Sequence, residues 1–401
     1  MGGDGIFLLK TNEWEMIYMK KSQTDKSQTD KSQREKRLVK AGVALLAMGG
    51  ILLAAARTMD GFADWYSSVI SPVCVSTLGR AMGIFPFSMS EIFLYLLLAG
   101  CLLWIIRSAF LHCAAKKKEK RLKRGAISLF LLASILFFLY TVNCGVNYYR
   151  ETFSKSAGIK VEEYSVEELK EVCRWLTDEV NESSDTVKRD EKGLMTLADV
   201  DVEQEAVVSM KNLGKEYEAL QGYYPKPKPL LNHWILSIQN LTGVYSPFTV
   251  EANYNDGMVD YNIPFTACHE LSHLRGFMEE KEANYIGFLA CLGSDVEEFR
   301  YSSYLMGWIY CTNVLYEEDY ETWEELRGEL KDSVLLDLQA NSDFWAKYDT
   351  AVAEVSDKIN DTYLKANGQQ DGVESYDRMV DLIVTEYMNG KLGRVESRIE
   401  K

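Results

Sequence analysis

Three apolar runs, residues 41–56, 92–106 and 126–146, dominate the N-terminal part of this 401-residue chain and restrict what it can become. Each approaches or reaches the ~20 residues that a helix needs to cross the hydrocarbon of a bilayer. The first two are short, but Lys40, Arg57 and Arg107 flank them. Such side chains bury their stems and reach the interface with their charged ends. Inside lipid every backbone polar group must be satisfied within its own segment, so the runs are expected to be helical. Three spans follow, at about 39–58, 91–112 and 125–147, within a membrane region of about residues 38–148.

The flanking charges imply an orientation. Lys31, Arg34, Lys36, Arg37 and Lys40 precede the first run, and a second basic cluster, residues 116–124, separates the other two. The connection 57–91 is poor in Lys and Arg. Positively charged loops stay in the cytoplasm, which places the N-terminus inside the cytoplasmic membrane and the chain beyond about residue 148 outside it. Ala54-Ala55-Ala56 has the form of a signal-peptidase site, but the long polar segment before the run favours a retained anchor. That segment, residues 1–37, repeats Lys-Ser-Gln-Thr-Asp at 21–25 and 26–30 and approximately at 31–35. It is too polar to bury a core and is expected to be a disordered tail.

The net charge of -15 conceals two opposite halves. Residues 1–148 hold 19 basic and 10 acidic side chains, whereas residues 149–401 hold 25 and 49. The basic half suits a membrane flank; the acidic half reads as a soluble domain with no nucleic-acid partner. Eight cysteines show no paired spacing. Cys101 and Cys144 fall in expected spans, Cys113 beside one and Cys74 in the first connection. Cys173, Cys268, Cys291 and Cys311 fall in expected helices, so no disulfide framework is expected.

Within the acidic half, His269-Glu270-Leu271-Ser272-His273 places two of the chain's four His one helical turn apart. Positions i and i+4 share a helix face, so both imidazoles can hold one metal ion, with Glu270 projecting beside them. This HExxH spacing is that of zinc hydrolases, in which the glutamate acts as general base. Gly276 suits the left-handed residue that ends such a helix. A second helical stretch begins near Met278 and carries Glu279, Glu280, Glu282 and Asn284. Hydrolytic zinc sites use three protein ligands and keep a position for water. With no third His or suitable Cys pair nearby, a Glu is expected as third ligand. Glu280 is favoured, because Asn284 four residues on can accept a hydrogen bond from a ligand imidazole. Glu282 is the alternative. Cys268, next to His269, reads as a small buried apolar residue.

His269-Glu-x-x-His273 followed by Glu280-x-x-x-Asn284 resembles the gluzincin metallopeptidases, where an ExxxD helix supplies the third ligand and an orienting Asp. A longer set of residues is similar to a bacterial membrane family catalogued as domain of unknown function 3810. The set comprises Tyr245-Ser-Pro-Phe-Thr-Val-Glu-Ala-Asn253, Pro264-Phe-Thr-Ala-Cys268, Arg275-Gly-Phe277, Glu282-Ala-Asn284, Arg300-Tyr-Ser-Ser-Tyr304 and Asp371-Gly-Val-Glu-Ser-Tyr376. The resemblance spans most of the chain and implies a zinc peptidase. Asn284 departs from the gluzincin Asp: an amide orients the imidazole without adding negative charge.

Residues 149–401 read as an α+β, mainly helical domain with a small sheet, and the resemblance implies that it is zincin-like. Ser165-Val-Glu-Glu168 is a capping box ahead of Leu169, Val172, Leu176 and Val180 at helical spacing. Another helix is expected over 202–220, and the Pro-rich stretch 224–229 leads into the apolar run 234–238. Phe248, Val250, Ala252 and Tyr254 alternate as a strand, and from Pro264 onward the chain reads as helical.

Zinc on His269, His273 and Glu280 would activate a water whose proton Glu270 takes. The resemblance to gluzincins, where an edge strand before the active-site helix lines the substrate, implies the same for the strand 248–255, with Phe248, Val250 and Ala252 contacting a peptide. Tyr301, Tyr304 and His233 are candidate oxyanion donors, the two tyrosines also as substrate contacts. The expected function is a membrane-anchored zinc metallopeptidase acting outside the cytoplasmic membrane. The alternatives are a metal-dependent hydrolase of a non-peptide cell-envelope bond and a non-catalytic sensory or interaction module. Glu270 weighs against the last, since a structural site needs no base.

Overall fold

The computed structural model describes residues 4–112, 118–369, 372 and 378–392. A long helix α1 (Asp4–Thr58) leads into a short helical connection, α2 (Phe62–Val69), α3 (Ser71–Cys74) and α4 (Arg80–Met82). A π-helical turn, Val75–Gly79, joins the last two. Helices α5 (Met89–His112) and α6 (Lys118–Asn143) follow. Three stretches are long and apolar enough to cross a membrane: Ser32–Thr58, Met89–Arg107 and Leu122–Tyr149, with mean hydropathies of 2.1, 2.1 and 2.2. At most 11% of each apolar window is buried against protein, so lipid is the natural cover for these side chains.

The repeat expected to be a disordered tail is instead drawn into α1. Lys, Gln and Glu are good helix formers, no Gly or Pro interrupts residues 6–41, and extending an existing helix needs no new nucleus. Cys113 and residues 116–117 of the second basic cluster lie outside the described residues.

The chain forms two compact units, Met1–Leu52 with Ala99–Leu139 and Leu53–Leu98 with Tyr140–Lys401. In the first, helices approach where glycine leaves room. A Cβ on Gly42 would lie 2.5 Å from the Phe130 ring, and one on Gly125 would lie 2.8 Å from Trp104. Glu35 pairs with Arg124 at 2.8 Å, bringing the two basic clusters together.

The second unit is mainly helical. After α7 (Phe153–Ser156), the Ser165–Glu168 capping box forms both of its hydrogen bonds at the start of α8 (Val166–Ser183). Leu169, Val172, Leu176 and Val180 are buried on the expected face. Asp201 caps α9 (Val202–Glu216), which continues as a 3-10 turn to Leu220. A three-stranded sheet combines β1 (Lys228–Pro229), β2 (Gly243–Ser246) and β3 (Glu251–Tyr254), with α10 (Trp234–Ser237) between the first two. Helices α11 (Asn262–Leu274), α12 (Glu280–Leu292), α13 (Glu297–Glu318), α14 (Tyr320–Gly328), α15 (Asp332–Trp345), α16 (Ala351–Ala366) and α17 (Met379–Met388) complete it. Seven described cysteines are all free.

The strand expected at 248–255 is shorter than its alternation suggests. Residues 247–250 form the β2–β3 turn, closed by Val250 N–H donating to Ser246 O at 2.8 Å. Val250 takes a left-handed φ of 55°, unusual for a β-branched residue, so alternation stops there. β3 is also the central strand, parallel to β1 and antiparallel to β2, and therefore has no free edge. The free edge beside the helix that follows the sheet belongs to β2.

Carboxylates staple this sheet to the start of the second apolar helix. Glu251 on β3 accepts from the Met89 and Ser90 N–H groups (3.1 and 2.9 Å), which have no partner within α5. Its Oε1 also pairs with buried Lys228 Nζ at 2.6 Å, and Lys228 donates to the Met82 and Phe87 carbonyls. In return, Glu91 on α5 accepts from Leu231 N–H and Asn232 N–H.

A buried ammonium left without its carboxylate costs about 3–5 kcal/mol. Glu251→Gln should therefore destabilise the protein by about that much. The double variant Lys228→Met/Glu251→Gln should recover a large part of the loss. Thermal unfolding in detergent checks this: equal losses in the single and double variants would show that the pair does not support the sheet.

Candidate metal centre

Helix α11 is buried along its whole length, so each polar side chain on it requires a protein partner. Ser302 of α13 holds its beginning, donating to the Tyr261 carbonyl and accepting from Phe265 N–H at 3.2 Å. Gly276 ends it at a φ of 88°, the left-handed conformation expected of this residue. A Cβ there would also lie 3.1 Å from Asn147 Nδ2, so glycine is required twice. The turn after Gly276 brings the Phe277 carbonyl back onto His273, whose Nδ1 donates to it at 2.7 Å.

Helix α12 meets α11 closely at Gly287, where a Cβ would stand 3.2 Å from His269 N and Phe265 O. Glu280, Asn284 and Gly287 share one face by their spacing, so the close approach delivers the first two to the imidazoles. Asn284 Oδ1 takes the hydrogen bond of His269 Nδ1 at 2.7 Å. With both Nδ1 atoms committed, each Nε2 is left to act as a metal ligand. Glu280 Oε2 lies 3.3 Å from His269 Nε2 and 3.5 Å from His273 Nε2. Tetrahedral ligands about 2.0–2.1 Å from zinc lie about 3.3–3.4 Å from one another, so both carboxylate–imidazole distances fit such an ion, and all three ligand atoms lie within 4.8 Å of one another. They form a buried cluster able to hold a metal.

Charge supports the fit. Glu270 Oε2 and Glu280 Oε2 are buried and accept no hydrogen bond among the described residues. Burial pushes the Glu270 carboxyl up to about 7, against the opposing influence of His269 and His273. Burial would also raise Glu280, but His273 and His269 outweigh it and hold the carboxyl down at about 2. His273 is raised to about 9: burial opposes this, and Glu280 overcomes it. A divalent ion on the Nε2 atoms would take the place of that proton.

Glu270 is not one of the trio, and its Oε1 lies against β2. A Cβ on Gly243 would fall 2.5 Å from Glu270 Oε1, so the edge strand passes directly over this carboxylate because residue 243 has no side chain. Sequence reasoning missed Gly243, since a lone glycine after Leu241-Thr242 carries no readable signal. Gln369 was missed for the same reason. Its amide accepts from Glu280 N–H and donates to the Met278 carbonyl, holding the start of α12.

Other candidates are engaged elsewhere. Glu282 is not a ligand: it accepts from Ser154 N–H and Ser154 Oγ at 2.8 Å each. Tyr301 donates to buried Asp337 at 2.6 Å, and Tyr304 packs edge-on against Trp175. His233 pairs with Asp256 at 3.2 Å. Val250 and Ala252 are buried, while Phe248 is exposed at the hairpin tip. Cys268 is fully buried and stands outside the trio. The stretch 371–376, apart from Gly372, lies outside the described residues.

If the Asn284 amide fixes the His269 ring, Asn284→Ala should weaken zinc binding by roughly 10–100-fold without unfolding the protein. Asn284→Asp, which keeps the acceptor, should retain it. Competition with a chromophoric chelator measures both, and unchanged affinity in Asn284→Ala would remove the orienting role.

No curated protein and no solved structure matches this chain. A family model matches residues 66–384, from the first helical connection to α17, and so covers both the sheet and the metal-ligand trio. The chain belongs to the family described as "Protein of unknown function (DUF3810)".

Proposed function

We propose that this protein is a membrane-anchored, zinc-dependent peptidase of the gluzincin type, with a zincin-like catalytic domain outside the cytoplasmic membrane. The observation that carries this reading is Glu270, a fourth buried polar group that ligates nothing. Three ligands suffice for a structural purpose only when a fourth closes the site, and none is present among the described residues. A buried carboxylate that is not needed as a ligand suits proton transfer.

Zinc, when bound, supplies a Lewis acid that polarises a water and the scissile carbonyl. His269, His273 and Glu280 hold it, and Asn284 and the Phe277 carbonyl keep the two imidazoles in the ligating tautomer. Glu270 takes the proton of the attacking water and returns it to the leaving amine. Burial favours this exchange by placing the carboxyl where water does not compete for its oxygens.

The β2 edge supports a peptide substrate over a smaller one. Asn255 N–H donates to Thr242 O, so Val244 and Ser246 face β3 in the antiparallel alternation while the amides of Gly243 and Tyr245 point to the open side. An extended peptide can pair there, with a main-chain carbonyl beside Glu270. The Glu35–Arg124 pair supports the orientation, because it sets both basic clusters at one end of their helices.

Full-length protein should hold about one zinc per chain, lost in His269→Ala. Glu280→Gln should weaken zinc retention. Glu270→Gln should keep the metal yet lose turnover of a peptide library by at least 10²–10⁴-fold, the general-base contribution. Metal content and hydrolysis measured on the same preparations decide the roles. Loss of metal in Glu270→Gln with retention in Glu280→Gln would exchange them, and full activity in both would exclude hydrolysis by this site.

A further inference from the structure

The third apolar stretch, Leu122–Tyr149, ends against the metal centre. Cys144 Sγ lies 3.5 Å from Met278 Sδ, two residues before the ligand Glu280. Asn143 Nδ2 donates to the Pro247 carbonyl at 2.8 Å, and Tyr245 on β2 donates back to the Asn143 carbonyl at 3.1 Å. Tyr148 donates to the Tyr363 hydroxyl at 3.0 Å. All of these residues belong to one compact unit. Asn143 ends α6, and the 3-10 turn Gly145–Tyr149 beyond it advances about 10 Å. The headgroup zone of a bilayer is roughly 5–7 Å deep on each side. With the span end in the headgroup zone, the ligand trio beside it would stand close to the same level.

Two further features agree. Strand β2 starts at Gly243, over Glu270, and ends at Ser246, next to the Pro247 contact with the helix end. At ~3.3 Å per residue, a chain laid along it travels about 10 Å from the reacting carbonyl to the edge of the apolar helix. Apolar side chains also remain uncovered at the hairpin tip and on α16, whose Tyr363 meets Tyr140 and Tyr148 at the end of the apolar stretch. Phe248 at the hairpin tip is 42% exposed, and α16, which buries only Ala353 and Leu364, exposes Val352, Val355 and Ile359 in a stripe that runs to Tyr363. Such a face suits the lipid interface better than bulk water.

We infer that the substrates are polypeptides themselves anchored in the membrane, cut about three to six residues from where they leave the bilayer. This rests on the hydrolase reading above and deepens it. A chain emerging from lipid enters the cleft from the helix side, lies along the Gly243–Ser246 edge and presents its bond to Glu270. Anchoring also raises its effective concentration at a site held at the same depth.

The test uses the full-length, zinc-loaded protein in lipid vesicles. Reporters carry about eight randomised residues between a fluorophore and a single membrane-spanning helix, with spacers of about 5, 15 and 40 residues, beside an unanchored copy. Cleavage should be fastest with the shortest spacer and fall by at least about 10-fold at the longest, with the unanchored copy slower still. Mass spectrometry should map the cut to the membrane-proximal residues. Zinc-loaded Glu270→Gln adds a reading that needs no turnover: it should retain the short-spacer reporter in preference to the unanchored one. Equal cleavage of all reporters, together with equal retention, would overturn the anchored-substrate inference and leave the hydrolase reading standing. No cleavage of any reporter and no retention would overturn both.

Discussion

Everything near the metal centre answers to one constraint, that two imidazoles and two carboxylates are held out of water on a pair of buried helices. A buried charge without a partner is costly enough to unfold a domain, so each of these groups must be compensated or left for a ligand to compensate. The two Nδ1 atoms are satisfied by Asn284 and by the Phe277 carbonyl. The Nε2 atoms and Glu280 compensate one another. That leaves Glu270 Oε2, buried and unpaired, as the group whose retention the fold itself does not explain. A buried carboxylate oxygen without a partner calls for a reason, and the proton transfer proposed above would supply one.

The surrounding packing follows from the same requirement. Gly287 lets α12 come close enough for Glu280 to meet both rings, Gly276 turns the chain so that a carbonyl reaches His273, and Gly243 lets an edge strand pass over Glu270. Helix α13 closes the back of the site through Ser302 on the start of α11 and Ser303 on the Phe288 carbonyl. Its Tyr301 and Tyr304, which carry the suggestion of catalytic tyrosines, instead tie this helix to Asp337 and Trp175.

Within the second unit, the sheet and the ligand-bearing helices pack directly on its segments 89–98 and 140–149. Glu251 on β3 caps the Met89 and Ser90 donors of α5, and Glu91 on α5 accepts from the Leu231 and Asn232 N–H groups just after β1. Asn147 accepts from both Ser67 and Ser71, binding the first helical connection to the turn after α6, and its amide stands against Gly276. A shift at the helix ends would therefore reach the turn that orients His273. Such direct packing suits a site whose distance from the bilayer matters.

Much of this was legible in local pattern. Continuous apolar runs report helices that seek lipid, because every residue of the run contributes to the same transfer free energy. His269 and His273 at i and i+4, Glu280 and Asn284 at the same spacing, and Gly276 after the helix are all relations within one or two turns, which helical periodicity alone imposes. The Ser165–Glu168 capping box is of the same local kind. What the tertiary structure decided are relations between segments distant in the chain. The strand expected at 248–255 became a short central strand because Lys228–Pro229 paired with its far side and Val250 turned the backbone. Glu282 was excluded by Ser154, 128 residues away, and Gln369 was recruited from beyond α16. The edge over Glu270 passed to Gly243, a residue with no side chain to betray its role. Local sequence specifies which groups share a face; only packing specifies which face meets another, because that depends on burial and close approach summed over the whole core.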